Sequence, residues 1–548
     1  MGGSVVWLRV LPVFCVSSVL FSVAGVSQEG PIVRIDGGLI QGEVTEVAGA
    51  AIHAFRGIPF AAPPVGPLRW RPPQPPAPWK EVRDARQFAP ACPQAPGLVY
   101  GQRFDKQSED CLYLNVWTAA SASGEKQPVM VWIHGGGNVI GATNARVYDG
   151  QRLAAAGVVL VSVQYRLGPL GYLAHPALTA EAKALDGREA SGNYGLLDLL
   201  AALGWVRANA GRFGGDPARV TVFGESAGAA NITHLMASPL ATGLFQRAIA
   251  QSGYFGENVP ALTRAAGTAR TAHDLGIDYA ARVGVTGRER EALAALRGLP
   301  VEKLLSVPMG SGGPGLGGGA AFRFGPVVDG HVLPRDPGDV WRAGDQHRVP
   351  LIAGSNLDDG SVFTRSLPVQ RLAGYRLTLG MIFGAEADRA LELFPAASNE
   401  DVPGAIRRVS TIIAFRAPAR RLVRWAEAAG GRAWLYHFSR NPGVGMAALE
   451  RGVVHGLEIP YVFGVLTEFV GDIDRAVSAD MMRRWVSFAF DGDPNGPASS
   501  AASTAAPSWP AYRAADDRHL EFGDRPVVGQ RLDREACDLA DRTAVRRR

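Results

Sequence analysis

The sequence predicts an α/β fold, with a large, mostly parallel central sheet and helices on both of its faces. Residues 129–133, 158–163 and 220–223 are short, continuous apolar runs, the pattern of parallel strands buried on both sides. Between the second and third runs, Leu196, Leu197, Leu199, Leu200, Leu203 and Trp205 recur at helical spacing within residues 195–210, so a βαβ crossover is the natural connection. Composition agrees: of 548 residues, 47% are apolar and 20% charged, ample for a folded core.

Taken in order, the chain opens on residues 8–26, nearly all apolar or small, with Arg9 near the start and the polar Ser27, Gln28 and Glu29 after it. This reads as a secretory signal peptide over residues 1–24, with Ser22, Val23 and Ala24 supplying the small residues of a cleavage site. Such a leader implies a secreted or periplasmic protein. Pro12 and the shortness of the run argue against a membrane anchor, and no other segment is long and apolar enough to span a bilayer. Residues 32–35 alternate like a strand, and the Pro-rich residues 59–78 read as an extended surface segment. The Gly-rich residues 310–319 and the Ala/Ser/Pro-rich residues 496–507 read as exposed loops, without a phosphate-binding Gly-Lys-Ser pattern.

Of the four cysteines, Cys15 falls in the leader. Cys92 and Cys111 enclose a short polar loop, and in an exported protein such a pair is expected to form a disulfide, the alternative being two free thiols. Cys537 is left without a partner and is expected as an apolar filler. The net charge of +5 is scattered, so it is no nucleic-acid footprint; it would suit an anionic ligand but is adequately explained as a solvated exterior. No His/Cys cluster has metal-ligand spacing, so neither a metal nor an organic cofactor is expected.

The chemistry is concentrated in a few places. Gly224-Glu225-Ser226-Ala227-Gly228 follows a buried strand and precedes a helical stretch, residues 229–237, which is the setting of a nucleophile elbow. Upstream, His134-Gly135-Gly136-Gly137 closes another strand, and bare glycine backbone there can approach an oxyanion. Gly136, Gly137 and Ala227 are the expected N–H donors. A serine nucleophile needs a base, and among ten histidines His455 stands out, where a predicted strand over Val453 and Val454 runs into a loop. The orienting acid is expected between Ser226 and His455 in the chain, and Asp358 and Asp359, after the apolar residues 349–352, both qualify by spacing. Glu225 and Glu458 flank the serine and the histidine; they either support a charged imidazole or are ordinary hydrogen-bonded carboxylates.

These motifs, with residues 55–61 (Phe55, Arg56, Gly57 onward), 108–116, 192–196, 213–217 and 492–495, together resemble the type B carboxylesterases, the group of cholinesterases and bacterial para-nitrobenzyl esterases. The likeness runs over almost the whole chain after the leader. It implies a single α/β-hydrolase domain over residues 25–548, with a serine–acid–histidine triad at the base of a gorge. The family's acid precedes a glycine, which selects Asp359 over Asp358, although the family more often carries Glu. The family's first disulfide falls on Cys92 and Cys111, a structural ion pair falls on Arg69 and Glu109, and Ser252 matches a position beside the triad. Two departures bear on substrate. Asn138 stands where the family usually has a pocket-lining aromatic, implying a more polar substrate pocket. The loop between the two cysteines has Tyr100 and Phe104 but no Trp to stack on a quaternary ammonium, so choline esters are not expected.

The expected reaction is hydrolysis of a small-molecule carboxylic ester through an acyl-enzyme on Ser226. Amide, carbamate and thioester hydrolysis pass through the same tetrahedral geometry and are the alternatives. A non-catalytic binding protein of the same fold is disfavoured, because Ser226, His455 and the glycine loop are all present. Neither the natural ester nor the oligomeric state is readable from the residues.

Overall fold

The computed structural model describes residues 1–2, 30–97, 102–253, 259–263, 270–310, 322–365, 367–445, 447, 452–466, 470–496 and 506–546. Its centre is an eleven-stranded sheet. In chain order the strands are β1 (Glu43–Val47), β2 (Ala50–Pro59), β3 (Tyr113–Thr118), β4 (Gln127–Ile133), β5 (Val159–Val163), β6 (Gly215–Glu225), β7 (Arg247–Gln251), β8 (Leu351–Asn356), β9 (Ala433–Phe438), β10 (Arg518–Phe522) and β11 (Pro526–Gln530). Across the sheet they run β11-β10-β9-β8-β7-β6-β4-β5-β3-β2-β1. Pairings from β10 through β9, β8, β7, β6 and β4 to β5 are parallel. The edges, β11 on one side and β3, β2 and β1 on the other, are antiparallel.

The helices that matter for the site are α1 (Tyr194–Asn209), α2 (Ala227–Ala237), α3 (Val402–Thr411), α4 (Ala417–Ala428), α5 (Ile459–Phe463), α6 (Asp472–Asp491) and α7 (Arg534–Arg546). The continuous apolar runs have the predicted reason: successive side chains of a strand point to opposite faces, and here both faces are dry. Val129, Val131 and Ile133 of β4, with Val220 and Val222 of β6, pack with Leu196, Leu199 and Leu203 of α1 and Ile232 and Leu235 of α2. Met130 and Trp132 of β4, with Phe223 of β6, join Phe463 of α5 and Trp485 and Phe488 of α6 on the other face. Trp132 is in ring contact with Tyr148, Phe223 and Phe463 at 4.9–5.0 Å. Removing a buried ring of that kind costs about 3–5 kcal/mol.

The crossover from β5 to β6 through α1 is present, but β4 lies between those two strands in the sheet. Residues 32–35 form a strand as expected, antiparallel to Gly38–Gln41 in a small separate sheet. The Pro-rich segment is less exposed than its composition implies: Trp70 is buried, and its indole N–H donates to the Pro169 carbonyl at 2.8 Å. The strand expected at Val453 and Val454 is only a single bridge, Val454 with Asp358. Asp358 takes over the pairing, its carboxylate accepting the Val453 N–H at 2.9 Å.

Cys92 and Cys111 are disulfide-bonded, and Cys537 is a buried free thiol packed among the apolar residues of α7 and α3. Arg69 grips Glu109 with two hydrogen bonds of 2.6 and 2.7 Å and ties the pair to the carbonyls of Arg297 and Leu299. Among the described residues no helix is long and apolar enough to cross a membrane. The leader reading, Tyr100 and most of the two expected loops lie outside the described residues.

Candidate active site

The site assembles at the carboxyl ends of β4, β6, β7 and β8, where open parallel sheets place their ligands. Ser226 follows β6 directly and opens α2, with φ +56° and ψ −122°, a conformation that side-chain-bearing residues adopt only under constraint. Its N–H donates to the Gln251 carbonyl at 2.9 Å, and its carbonyl accepts the Ala230 N–H at 2.9 Å. The turn is thus held by the neighbouring strand β7 on one side and by the helix it starts on the other. The flanking glycines are sterically required: a Cβ on Gly224 or Gly228 would lie 2.5 or 2.0 Å from the Ile133 carbonyl oxygen.

His455 is 10% exposed, held by a hydrogen bond at one ring nitrogen and lying beside a carboxylate at the other. Nδ1 meets Asp359 Oδ1 at 2.9 Å. Nε2 lies 3.0 Å from Oε1 of Glu225, the residue before Ser226. Phe415 and Phe363 pack against the imidazole at 4.7 and 5.1 Å. The carboxylate of Asp359 is fully buried and accepts the Asn356 N–H at 2.6 Å and the Ser252 hydroxyl at 3.0 Å. Glu458, also buried, accepts from Asn356 Nδ2 at 2.6 Å and Gln251 Nε2 at 3.2 Å. The two aspartates left open by spacing are therefore separated by geometry: Asp359 touches His455, whereas Asp358 pins the backbone beside it.

Burial opposes a charge on His455, but the carboxylates of Glu225, Asp359 and Glu458 outweigh it and raise its pKa to about 9. Glu458 is shifted upward, by burial first and by Asp359 second. His134, by contrast, is pushed down to about 4 by burial, its Nδ1 lies 2.8 Å from the Gly135 carbonyl, and its ring stacks on Tyr165 at 4.6 Å. It belongs to the scaffold of the glycine loop.

That loop sits against the elbow. A Cβ on Gly135 would come within 3.0 Å of Ser226 Cβ and 2.6 Å of Glu225 Oε2. Gly136 and Gly137 have φ of +105° and +64°, and a Cβ on Gly136 would collide with the Ile140 carbonyl at 2.0 Å. Ala227 is the first residue of α2, so its N–H has no partner within the helix. Gln94, two residues past Cys92, holds the far end of the loop with paired hydrogen bonds of 2.8 and 2.9 Å to the N–H and carbonyl of Gly141. Asn138 is buried with φ +61°, and its Oδ1 accepts from Asn231 Nδ2 at 2.8 Å and from the Tyr172 hydroxyl at 3.3 Å.

Sequence reasoning missed Asn231, Asn356, Gln94, Phe363 and Phe415. Asn231 sits five residues after the serine and carries a weak signal, a polar side chain in an otherwise Ala-rich buried helix. Phe415 comes from a π-helical turn, Ile412–Arg416, wedged between α3 and α4, which no periodicity announces.

Comparison with known proteins accords with this architecture. A 31%-identical solved structure, a PNB esterase, superposes with a TM-score of 0.75 over 93% of this chain and 99% of that one. The Fumonisin B1 esterase of Sphingopyxis macrogoltabida is 38% identical over 88% of this chain and 85% of its own length. The para-nitrobenzyl esterase of Bacillus subtilis (strain 168) is 35% identical over 86% and 91%, and the acylcarnitine hydrolase of Mus musculus 33% over 92% and 90%. The model of the carboxylesterase family matches residues 29–379 and 386–540, and the chain belongs to that family, as an α/β hydrolase.

Proposed function

We propose that this carboxylesterase-family hydrolase is an exported serine esterase in which Ser226 is the nucleophile, His455 the general base and Asp359 the group that orients it. The observation that carries the reading is the continuous contact from Asp359 to His455 Nδ1 and from His455 Nε2 to the residue adjoining a strained, helix-opening serine. Asp359 fixes the tautomer with the proton on Nδ1, leaving Nε2 to take the serine proton as Oγ attacks the ester carbonyl. The oxyanion is received by the N–H groups of Gly136, Gly137 and Ala227, each worth about 3 kcal/mol of barrier. Protonated His455 then returns the proton to the leaving alcohol, and water activated by neutral His455 releases the acid from the acyl-enzyme. Glu225 and Glu458 stabilise the imidazolium between these steps. Export is supported by the apolar N-terminal stretch and by a disulfide, which persists in oxidising compartments.

The test is hydrolysis of a panel of esters differing in acyl and alcohol groups, with matched amides and thioesters, on wild type and Ser226→Ala. Wild type is expected to favour esters. Ser226→Ala is expected to lose at least about 10⁴-fold in kcat and to resist labelling by a fluorophosphonate, with the label on Ser226 in wild type. Full activity in Ser226→Ala would remove the nucleophile assignment. Faster cleavage of amides or thioesters would change the substrate class while leaving the triad in place.

A further inference from the structure

Asn138 enters the sequence as a polar replacement for a pocket wall, yet its side chain faces protein. Its Oδ1 accepts from Asn231 Nδ2 at 2.8 Å, and its Nδ2 lies 3.4 Å from Asn231 Oδ1. The two amides thus face one another head to tail, both fully buried. The Tyr172 hydroxyl adds a second donor to the same oxygen at 3.3 Å, and the Asn138 carbonyl accepts the Gly168 N–H at 2.7 Å. A side chain committed in this way has little left to offer a substrate.

The pair's place in the fold gives it another task. Asn138 directly follows Gly137, and its positive φ of +61° is one that Asn tolerates better than most residues, so the bend that aims the glycine N–H groups is built into it. Asn231 lies on α2, the helix whose first residue is Ala227. At the base of the loop, α2 and β4 are fixed by close approach, since a Cβ on Gly228 would lie 2.0 Å from the Ile133 carbonyl oxygen. Gln94 and Gly168 tie the loop to other parts of the molecule. Of these ties, the Asn138–Asn231 pair is the one that crosses from the loop tip to the helix carrying Ala227.

We propose that Asn138 and Asn231 are positioning residues, an amide clamp that fixes the two halves of the oxyanion hole relative to one another. The proposal rests on the oxyanion assignment made above. The clamp acts on the tetrahedral intermediate and hardly at all on the bound ester, because the oxygen moves onto the N–H groups only as charge develops. Its effect therefore falls on kcat and not on KM, and it does not depend on the acyl group.

The test is a double-mutant cycle with Asn138→Gly, which tolerates the positive φ, Asn231→Ala and the combination. Readouts are kcat and KM on short- and long-acyl esters, the affinity of a trifluoromethyl ketone, and Tm. Each single change is expected to lower kcat by about 10- to 100-fold with KM near wild type, a fraction of what losing a donor outright costs. Ketone affinity should fall in step with kcat. The combination is expected to lose no more than either single change, because a clamp is lost once. Its Tm should exceed that of the worse single variant, since no buried amide is left facing an absent partner. A merely structural pair would recover kcat along with Tm in the combination, and that result overturns the clamp. So would a loss confined to KM and varying with acyl length, which marks a pocket wall. Ser226→Ala separates the outcomes: if it keeps full activity, the site assignment fails, whereas a dead Ser226→Ala with undiminished kcat in the cycle sinks the clamp alone.

Discussion

Asp358 and Asp359 are adjacent and chemically identical, yet backbone geometry gives them different work. Asp359 turns inward to His455 and is buried with Ser252 and Asn356, while Asp358 turns to the Val453 backbone and lies 3.6 Å from Arg407. Asp359→Asn leaves the size of the side chain unchanged but favours the wrong imidazole tautomer, so kcat is expected to fall by about 10⁴-fold. Asp358→Asn keeps an acceptor for the Val453 N–H and should retain most activity; steady-state kinetics on one ester compares the two. A second prediction follows from charge. In the mechanism proposed above His455 must be neutral to act as a base, and its pKa is raised above 6.5 to about 9 by the carboxylates around it. The rising limb of kcat/KM against pH should therefore lie above 6.5. Glu225→Gln removes one supporting charge, so the limb should move down in pH, and the variant should keep a larger fraction of its own maximum at pH 6. An unmoved limb would show that Glu225 does not act on the imidazole.

At the scale of elements, the site depends on pieces that local propensity disfavours. The π-turn Ile412–Arg416 places Phe415 against His455 and sends Arg416 to the carbonyls of Asn356 and Leu357, at 3.2 and 3.3 Å, on the strand end that precedes the acid. π-Turns persist inside helices mainly where a site needs the extra residue. Phe415→Ala is expected to destabilise by about 3–5 kcal/mol, as for other buried rings. It should also reduce kcat, because the imidazole loses a wall; chemical denaturation and kinetics report the two effects separately. The disulfide loop acts through Gln94, which both accepts from and donates to Gly141. Closing a loop of this size stabilises by about 3 kcal/mol in the chain-entropy picture, so Cys92→Ser with Cys111→Ser should lower the denaturation midpoint. Gln94→Ala leaves the disulfide intact and should lower kcat more than stability.

For the whole molecule, the histidines whose pKa is shifted by the fold are of two kinds. His134, His175 and His234 are buried and pushed down to about 4, chiefly by desolvation, and burial also lowers His273, His437 and His519. In the unfolded chain these groups take up protons near 6.5, so the unfolded state binds more protons as pH falls below that value. Their contribution to stability is complete above 6.5 and is lost as pH drops through their lowered folded-state values, about 4 for His134, His175 and His234. His455 works in the opposite sense: its raised pKa favours the folded state below 6.5, and that contribution fades as pH climbs through about 9. Because the depressed histidines outnumber it, the urea midpoint is expected to fall steadily between pH 6.5 and 4. A midpoint that stays level over that range would contradict the neutral burial of these side chains.

The sequence by itself determined the strand–helix alternation, the elbow, the glycine loop and His455, because each depends on local pattern. A strand buried on both faces must be continuously apolar, a turn that brushes the Ile133 carbonyl must have glycine on either side of Ser226, and a loop packed this closely against that turn must be glycine where a Cβ would collide. The order of the strands, with β4 between β5 and β6, was not readable, since pairing is set by long-range contacts that share no local signature. The tertiary structure places Asp359 against His455, the choice that spacing left open and the family resemblance implied, and it alone decided which rings enclose the imidazole and that the buried Asn138 side chain faces Asn231. The direction of a buried polar side chain is fixed by whichever partner, often far away in sequence, can satisfy it.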